Sequence, residues 1–183
     1  VNSGSITIAP FTWAKRRKRD FDRIIGCYDP DTWQGKIIQF HRPDPPDLLV
    51  LKFVDLDEPA PPPHDTRQEL HLPTRDDVQA ALDFDRPNEK LLIHCHAGIS
   101  RSTALALAIL AARMGTGTEK DAVEELIRIR AEAVPNFEIV RLADLILERQ
   151  GRLIEAVLER ETPRSQERRR LNRQAYLTFY GCG

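Results

Sequence analysis

Cysteine is scarce in this chain: Cys27, Cys95 and Cys182 are the only three among 183 residues, far apart and odd in number. That spacing excludes a disulfide framework and favours a reducing compartment in which a reactive thiol survives, so a cytoplasmic location is expected. No CxxC or HxxxH pair stands beside them, and neither a metal nor a cofactor is expected. An excess of one charge is also lacking. Lys and Arg number 27 against 28 Asp and Glu, a net charge of −1, so no global field gathers nucleic acid or a membrane surface. No apolar run reaches the length of a bilayer span, and the first residues hold no signal-peptide core. No internal repeat occurs. What remains is a chain long enough for a single domain with a real core.

One short stretch carries most of the information. Leu91-Leu92-Ile93 reads as an apolar strand, His94-Cys95 follows, a short run leads to Arg101 and Ser102, and an alanine- and leucine-rich helix begins. A cysteine at such a strand-to-helix junction faces backbone N–H groups and the positive end of a helix dipole, both of which favour an anion. The same field favours thiolate over thiol. A thiolate beneath a bound phosphate is a nucleophile aimed at phosphorus. Arg101 offers a planar fork of donors for two phosphate oxygens at once. The N–H groups of His96, Ala97, Gly98, Ile99, Ser100 and Arg101 would form the cradle, with Gly98 permitting backbone angles that a side chain resists. Ser102 is placed to donate to the cysteine sulfur and help it leave. His94 is expected to hold the loop from behind rather than to move protons. A zinc site on His94, Cys95 and His96 is disfavoured, because adjacent strand residues point to opposite faces. A buried cysteine is often an inert small hydrophobe, but the number of agreeing positions weighs against that for Cys95.

These residues resemble the His-Cys-x5-Arg-Ser/Thr signature of the cysteine-dependent protein tyrosine and dual-specificity phosphatases. The likeness is strongest to the small bacterial dual-specificity-like group, whose loop commonly reads His-Cys-x-Ala-Gly-x-Ser-Arg-Ser. Every fixed position of that version is present at 94–102. Leu51-Lys52-Phe53-Val54-Asp55-Leu56-Asp57-Glu58 resembles the strand that delivers the family's acid loop. Arg130-Ala131-Glu132-Ala133-Val134-Pro135-Asn136-Phe137 resembles the Arg-Pro-Asn segment before a late helix, so the likeness runs from about 6 to about 158. It implies a tyrosine-phosphatase-like α/β domain with a central mixed or parallel sheet flanked by helices. It also implies hydrolysis of phosphate monoesters through a phosphocysteine on Cys95. The expected partner is a phosphorylated protein, phosphotyrosine above all, with no nucleic acid and no membrane insertion.

The family's general acid is an aspartate upstream of the nucleophile. Asp55 and Asp57 close the apolar stretch 48–54, and two residues apart on a strand they would share a face. Asp55 is the first choice, because Phe-x-Asp-x-x-Glu-Pro looks most like the bacterial members. The Pro-Val-x-Asp pattern of eukaryotic members would favour Asp57 instead. Asp65 lies nearer to Cys95 in sequence, inside a proline-rich loop.

Strands are expected at 6–9, 23–27, 36–40, 48–54 and 91–94. Thr74 and Asp77 form an approximate capping box for a helix to about 84, and Val78, Ala81 and Leu82 would be its buried face. A helix at 102–114, apolar around most of its circumference, should be the central one. Further helices are expected at 119–131, after Asn136, and beyond Gly151. Strands with helices before and after them imply a sheet covered on both faces, with the site at the strands' carboxyl ends. Residues 1–161 are expected to form the phosphatase domain and 162–183 a polar, basic tail, mobile or weakly docked. The basic run 15–19 reads as a solvated helix face, the prolines at 59–63 as a stiff loop beside the site, and Cys27 as a buried structural residue. Two alternatives remain open. One is a phosphate-binding module that keeps the cradle but turns over poorly. The other is the same chemistry on a phosphoinositide, a nucleotide or an RNA 5′-phosphate.

Overall fold

Apolar residues in alternation set up a sheet with two buried faces. The computed structural model describes residues 5–32, 36–39, 45–57 and 71–179. Four strands, β1 (Ile6–Pro10), β2 (Arg23–Tyr28), β3 (Asp47–Lys52) and β4 (Leu91–Cys95), are all parallel in the order β1-β4-β2-β3. β4 is therefore flanked on both sides, and each of its five residues is buried. Ile25, Cys27, Leu51, Leu91 and Ile93 turn to one face, where most of the helices pack. Ile24, Leu48 and Leu92 turn to the other, against Ala14, Phe21 and Ile38. This period of two places His94 and Cys95 on opposite faces of the same strand end.

Among the described residues the helices are α1 (Phe11–Arg17), α2 (Arg75–Phe84), α3 (Arg101–Met114), α4 (Glu119–Ile129), α5 (Phe137–Ile146), α6 (Arg152–Glu159) and α7 (Pro163–Phe179), with a 3-10 turn at Lys18–Asp20. α3 is the expected central helix, buried without interruption from Arg101 to Ala111. Each of its fully buried Leu105, Leu107 and Ile109 side chains contributes about 2 kcal/mol by leaving water. The Thr74–Asp77 capping box starts α2. Asp144 accepts from the N–H groups of Gly151 and Leu153 at 2.7 and 2.9 Å, which fixes the break before α6. No helix of the described residues is long and apolar enough to cross a membrane.

The single α/β domain with a parallel sheet is as expected, and four of the five strands lie where the pattern placed them. The strand expected at 36–40 is not formed over 36–39, the part that is described. Ile37 and Ile38 are buried as a loop, and the Ile38 N–H donates to the Tyr28 hydroxyl at 3.1 Å. β3 has taken the place beside β2. The strand at 48–54 stops at Lys52, so Asp55 and Asp57 stand on a loop and not on a shared strand face. The stretch read as a mobile or weakly docked tail contains α7, which returns to the strand ends. The prolines at 59–63, Asp65 and Cys182 lie outside the described residues.

Candidate active site

The loop between β4 and α3 is held by its carbonyl groups. The carbonyl of His96 accepts from the Phe11 N–H at 3.2 Å, that of Ile99 from the Val134 N–H at 2.9 Å, and that of Ser100 from the Ala104 N–H at 3.0 Å. The Gly98 carbonyl accepts from Arg130 Nε at 3.1 Å. Across a planar trans peptide the carbonyl and the next N–H point in opposite directions, and none of the peptides here is cis. The N–H groups of Ala97, Ile99, Ser100 and Arg101 are thereby turned away from the scaffold, toward the inside of the loop. The Gly98 N–H instead reaches Cys95 Sγ at 3.2 Å. Gly98 has φ +70°, and a Cβ there would lie 2.5 Å from the carbonyl carbon of Ala9. Only glycine fits.

Cys95 is buried, and its sulfur sits 3.2 Å from the hydroxyl of Ser102. On the reverse face His94 is fully buried among Phe11 and Tyr28, with the Tyr28 ring edge-on at 5.3 Å. Tyr28 Oη accepts from the Ile38 N–H and shares a hydrogen bond with His94 Nε2, 3.3 Å away. Gly26 makes this pair possible: a Cβ there would lie 2.6 Å from the Tyr28 ring and 2.8 Å from His94 Nε2. Burial, and then the charge of Arg101, push the His94 pKa from its ordinary 6.5 down to about 4. His94 is therefore neutral at physiological pH and packs as a buried ring between Phe11 and Tyr28.

A pH dependence of stability follows. As pH falls, the unfolded chain protonates His94 first, near 6.5, while the folded chain resists until about 4. Stability is complete above the upper value and is lost on the way down to the lower one, by about 3 kcal/mol in full. Urea denaturation between the two values is expected to show this loss, and His94→Asn to lack that part of it.

Arg101 is the buried cation of the site. Its Nη1 donates to Asp29 Oδ1 at 2.9 Å and to the Phe53 carbonyl at 2.8 Å. Its Nε lies 4.0 Å from Asp55 Oδ2 and carries no hydrogen bond among the described residues. Burial works against its charge, but Asp55, Tyr176 and Asp29 outweigh it and raise its pKa further. The guanidinium is permanently charged.

The two candidate acids differ in their surroundings. Asp55 Oδ1 accepts from the Ser100 hydroxyl at 2.6 Å and from Asn136 Nδ2 at 3.0 Å. Asp57 accepts from the Phe137 N–H at 2.6 Å and from Arg169 at 3.1 Å. Burial raises the Asp57 pKa from its ordinary value, against the opposing pull of Arg169 and the Phe137 N–H. Asn136 also caps α5 by accepting from the Ile139 N–H at 3.1 Å, so one residue joins the acid loop to a helix start.

His96, Ala97, Ile99, Ser100, Arg101 and both aspartates meet Cys95 at the carboxyl end of the sheet, Ser102 stands behind the sulfur, and His94 lies on the reverse face. A cavity of about 290 Å³ is lined by Cys95, Arg101, Asp55 and Asp57, and its far wall is α7, through Arg168, Asn172 and Tyr176. Asn172 donates to the Asp55 carbonyl at 2.7 Å, and the Tyr176 hydroxyl donates to Asp29 Oδ1 at 2.8 Å. Sequence reasoning missed Asp29, Arg169, Asn172 and Tyr176. Asp29 directly follows β2, and residues just past the carboxyl end of a parallel strand face the site in such folds. Arg169, Asn172 and Tyr176 recur at a spacing of three and four, one face of a helix. Cys27 is buried, which raises its thiol pKa well above the ordinary value, with Cys95 adding to the effect.

A parallel sheet with its central strand running into a cysteine loop and a buried helix is the fold of the protein tyrosine and dual-specificity phosphatases. The chain is similar to Tk-PTP in its active form, with a TM-score of 0.54 and 19% identity over 81% of this chain and 94% of that one. It is similar to DUSP15, with a TM-score of 0.55 and 20% identity over 86% and 92%. It is also similar to PTPMT1 in complex with PI(5)P, with a TM-score of 0.53 and 15% identity over 82% and 92%. The sequence matches no family model and no curated protein. At these identities the likeness is one of fold, and the fold expected from the loop is borne out.

Proposed function

We propose that this chain hydrolyses phosphate monoesters, with Cys95 as the nucleophile and a phosphocysteine as the intermediate. The observation that carries the reading is the juxtaposition of a buried Cys95 sulfur, loop amides turned inward, and the buried Arg101 cation on the wall of the same cavity. A phosphate seated there would accept from the amides and from the Arg101 guanidinium. That grip strengthens as charge spreads over the equatorial oxygens in the transition state. In the first step the S–P bond forms as the ester O–P bond breaks, and the leaving oxygen takes a proton. In the second, water attacks phosphorus, its proton passing to the carboxylate that gave one up in the first step, and the sulfur departs as thiolate, aided by the Ser102 hydroxyl at 3.2 Å.

We assign the proton donor to Asp57 rather than to Asp55. A general acid has to keep its proton near the working pH, and burial moves Asp57 in that direction. Each carboxylate accepts from two donors, Asp57 from Phe137 and Arg169 and Asp55 from Ser100 and Asn136; the Asp55 donors belong to the cysteine loop and the start of α5, which suits a positioning role. With a phosphotyrosine peptide, whose leaving group needs the proton, Asp57→Asn is expected to lower kcat by about 10²-fold and to remove the basic limb of the pH profile. Asp55→Asn is expected to lower kcat without removing that limb. The opposite pattern would return the acid role to Asp55.

Protein phosphotyrosine is the substrate class taken first, as the loop signature implies, in a reducing compartment such as the cytoplasm. The crystallised complex of PTPMT1 with PI(5)P supports a phosphoinositide as the second reading.

A further inference from the structure

A second cavity shares a wall with the first. Its volume is about 490 Å³, and Cys95, His96 and Arg101 line it together with Lys15, Lys18 and Lys36. Lys15 comes from α1, Lys18 from the 3-10 turn after it, and Lys36 from the loop after β2. The chain as a whole has a net charge of only −1, so this gathering of cations is local. Asp29 is the one carboxylate on the wall among the described residues, and Arg101 and Tyr176 already engage it. Lys15 and Lys36 have neither a hydrogen bond nor an ion pair among the described residues. Lys18 donates to the Gln39 carbonyl, and burial together with Arg19 and Lys15 lowers its pKa. Like charges held near one another repel, and an anion between them relieves the cost. Lysine, a compact charge with rotatable donors, suits a phosphate whose orientation is not fixed.

We infer that this cavity is a subsite for a second phosphate, and that the preferred substrate is a compact bisphosphate with one phosphate over Cys95 and the other among Lys15, Lys18 and Lys36. The inference rests on the phosphatase reading and redirects the substrate class from a lone phosphotyrosine side chain. Because Cys95 and Arg101 line both cavities, the two phosphates belong on one small scaffold, such as a polyol ring. Phe11, Tyr28 and Ile37 supply apolar wall for that scaffold.

The test compares kcat/KM for a soluble inositol bisphosphate and an inositol monophosphate, with p-nitrophenyl phosphate reporting the chemistry alone. Wild type is expected to prefer the bisphosphate. The double variant Lys15→Ala/Lys36→Ala is expected to reduce the bisphosphate-to-monophosphate ratio by about tenfold or more, as the loss of charged hydrogen bonds requires. An unchanged ratio in a folded double variant overturns the inference. Calorimetric binding of the same two compounds to Cys95→Ser, with and without the lysine substitutions, reads the subsite even if wild type hydrolyses nothing. Failure of the phosphatase reading and failure of the subsite are thus distinguished. A lysine-dependent preference seen only with a doubly phosphorylated peptide overturns the compact scaffold. One seen only with phosphoinositide vesicles assigns the lysines to a membrane surface and overturns it equally.

Discussion

Cys95→Ser is expected to lower hydrolysis of p-nitrophenyl phosphate by roughly 10⁴-fold or more, while inorganic phosphate binds within a few-fold of wild type. The two halves of that result have separate causes. Turnover depends on sulfur as a nucleophile that can both attack phosphorus and leave again, and a hydroxyl at the same place does neither well near neutral pH. Binding depends on the inward amides and Arg101, whose anchors are the outward carbonyl bonds to Phe11, Val134, Ala104 and Arg130. None of those anchors involves the Cys95 side chain. Steady-state rates and calorimetry on the same preparation check both halves. A variant that retains its rate would contradict the thiol mechanism. One that loses phosphate binding along with its rate would mean that the sulfur shapes the cradle.

Arg101→Lys is expected to be nearly as damaging, lowering kcat/KM by about 10³-fold, and here phosphate affinity should fall as well. Arg101 lines the cavity and uses Nη1 on Asp29 and the Phe53 carbonyl, leaving Nε without a hydrogen bond among the described residues. A lysine could replace one of those directions but not two. If its ammonium settles on Asp29 and the Phe53 carbonyl, nothing points at the phosphate. If it turns to the phosphate, Asp29 loses its buried partner. The pairing of a lost rate with lost affinity separates this variant from Cys95→Ser. Equal phosphate affinity in Arg101→Lys would show that Arg101 is a structural cation of the acid loop.

Much of this site was legible because it is local in sequence. An apolar run, a cysteine, a glycine, an arginine and a helix former at fixed spacing determine β4, the loop and α3 almost without help from the rest of the chain. Period-two alternation likewise located β1, β2 and β4 to within a residue or so. Two failures share one cause, the use of apolar pattern as a proxy for strand. Ile37 and Ile38 are buried by packing on a loop, and Phe53 and Val54 are buried beyond the end of β3. The face-sharing argument for Asp55 and Asp57 failed with that boundary, because their surroundings come from Asn136, Phe137 and Arg169, far away along the chain. α7 escaped notice because most of its contacts to the site are polar. Arg169, Asn172 and Tyr176 bind through charge and hydrogen bonds, and Tyr176 and Leu177 alone pack on Val54 and Leu56, too short an apolar face to announce a docked helix. Asp29 was hidden for a different reason. A single aspartate after a strand has no sequence signal beyond its position.

The central claim is that a covalent bond forms between Cys95 and phosphorus. Rapid quenching of the protein during turnover of p-nitrophenyl phosphate, followed by peptide mass spectrometry, tests it most directly. The expected result is a phosphoryl group on the peptide carrying Cys95, present during turnover and gone once the substrate is exhausted. Turnover that leaves Cys95 unmodified at every quench time, or a phosphoryl group on another residue, would contradict the claim.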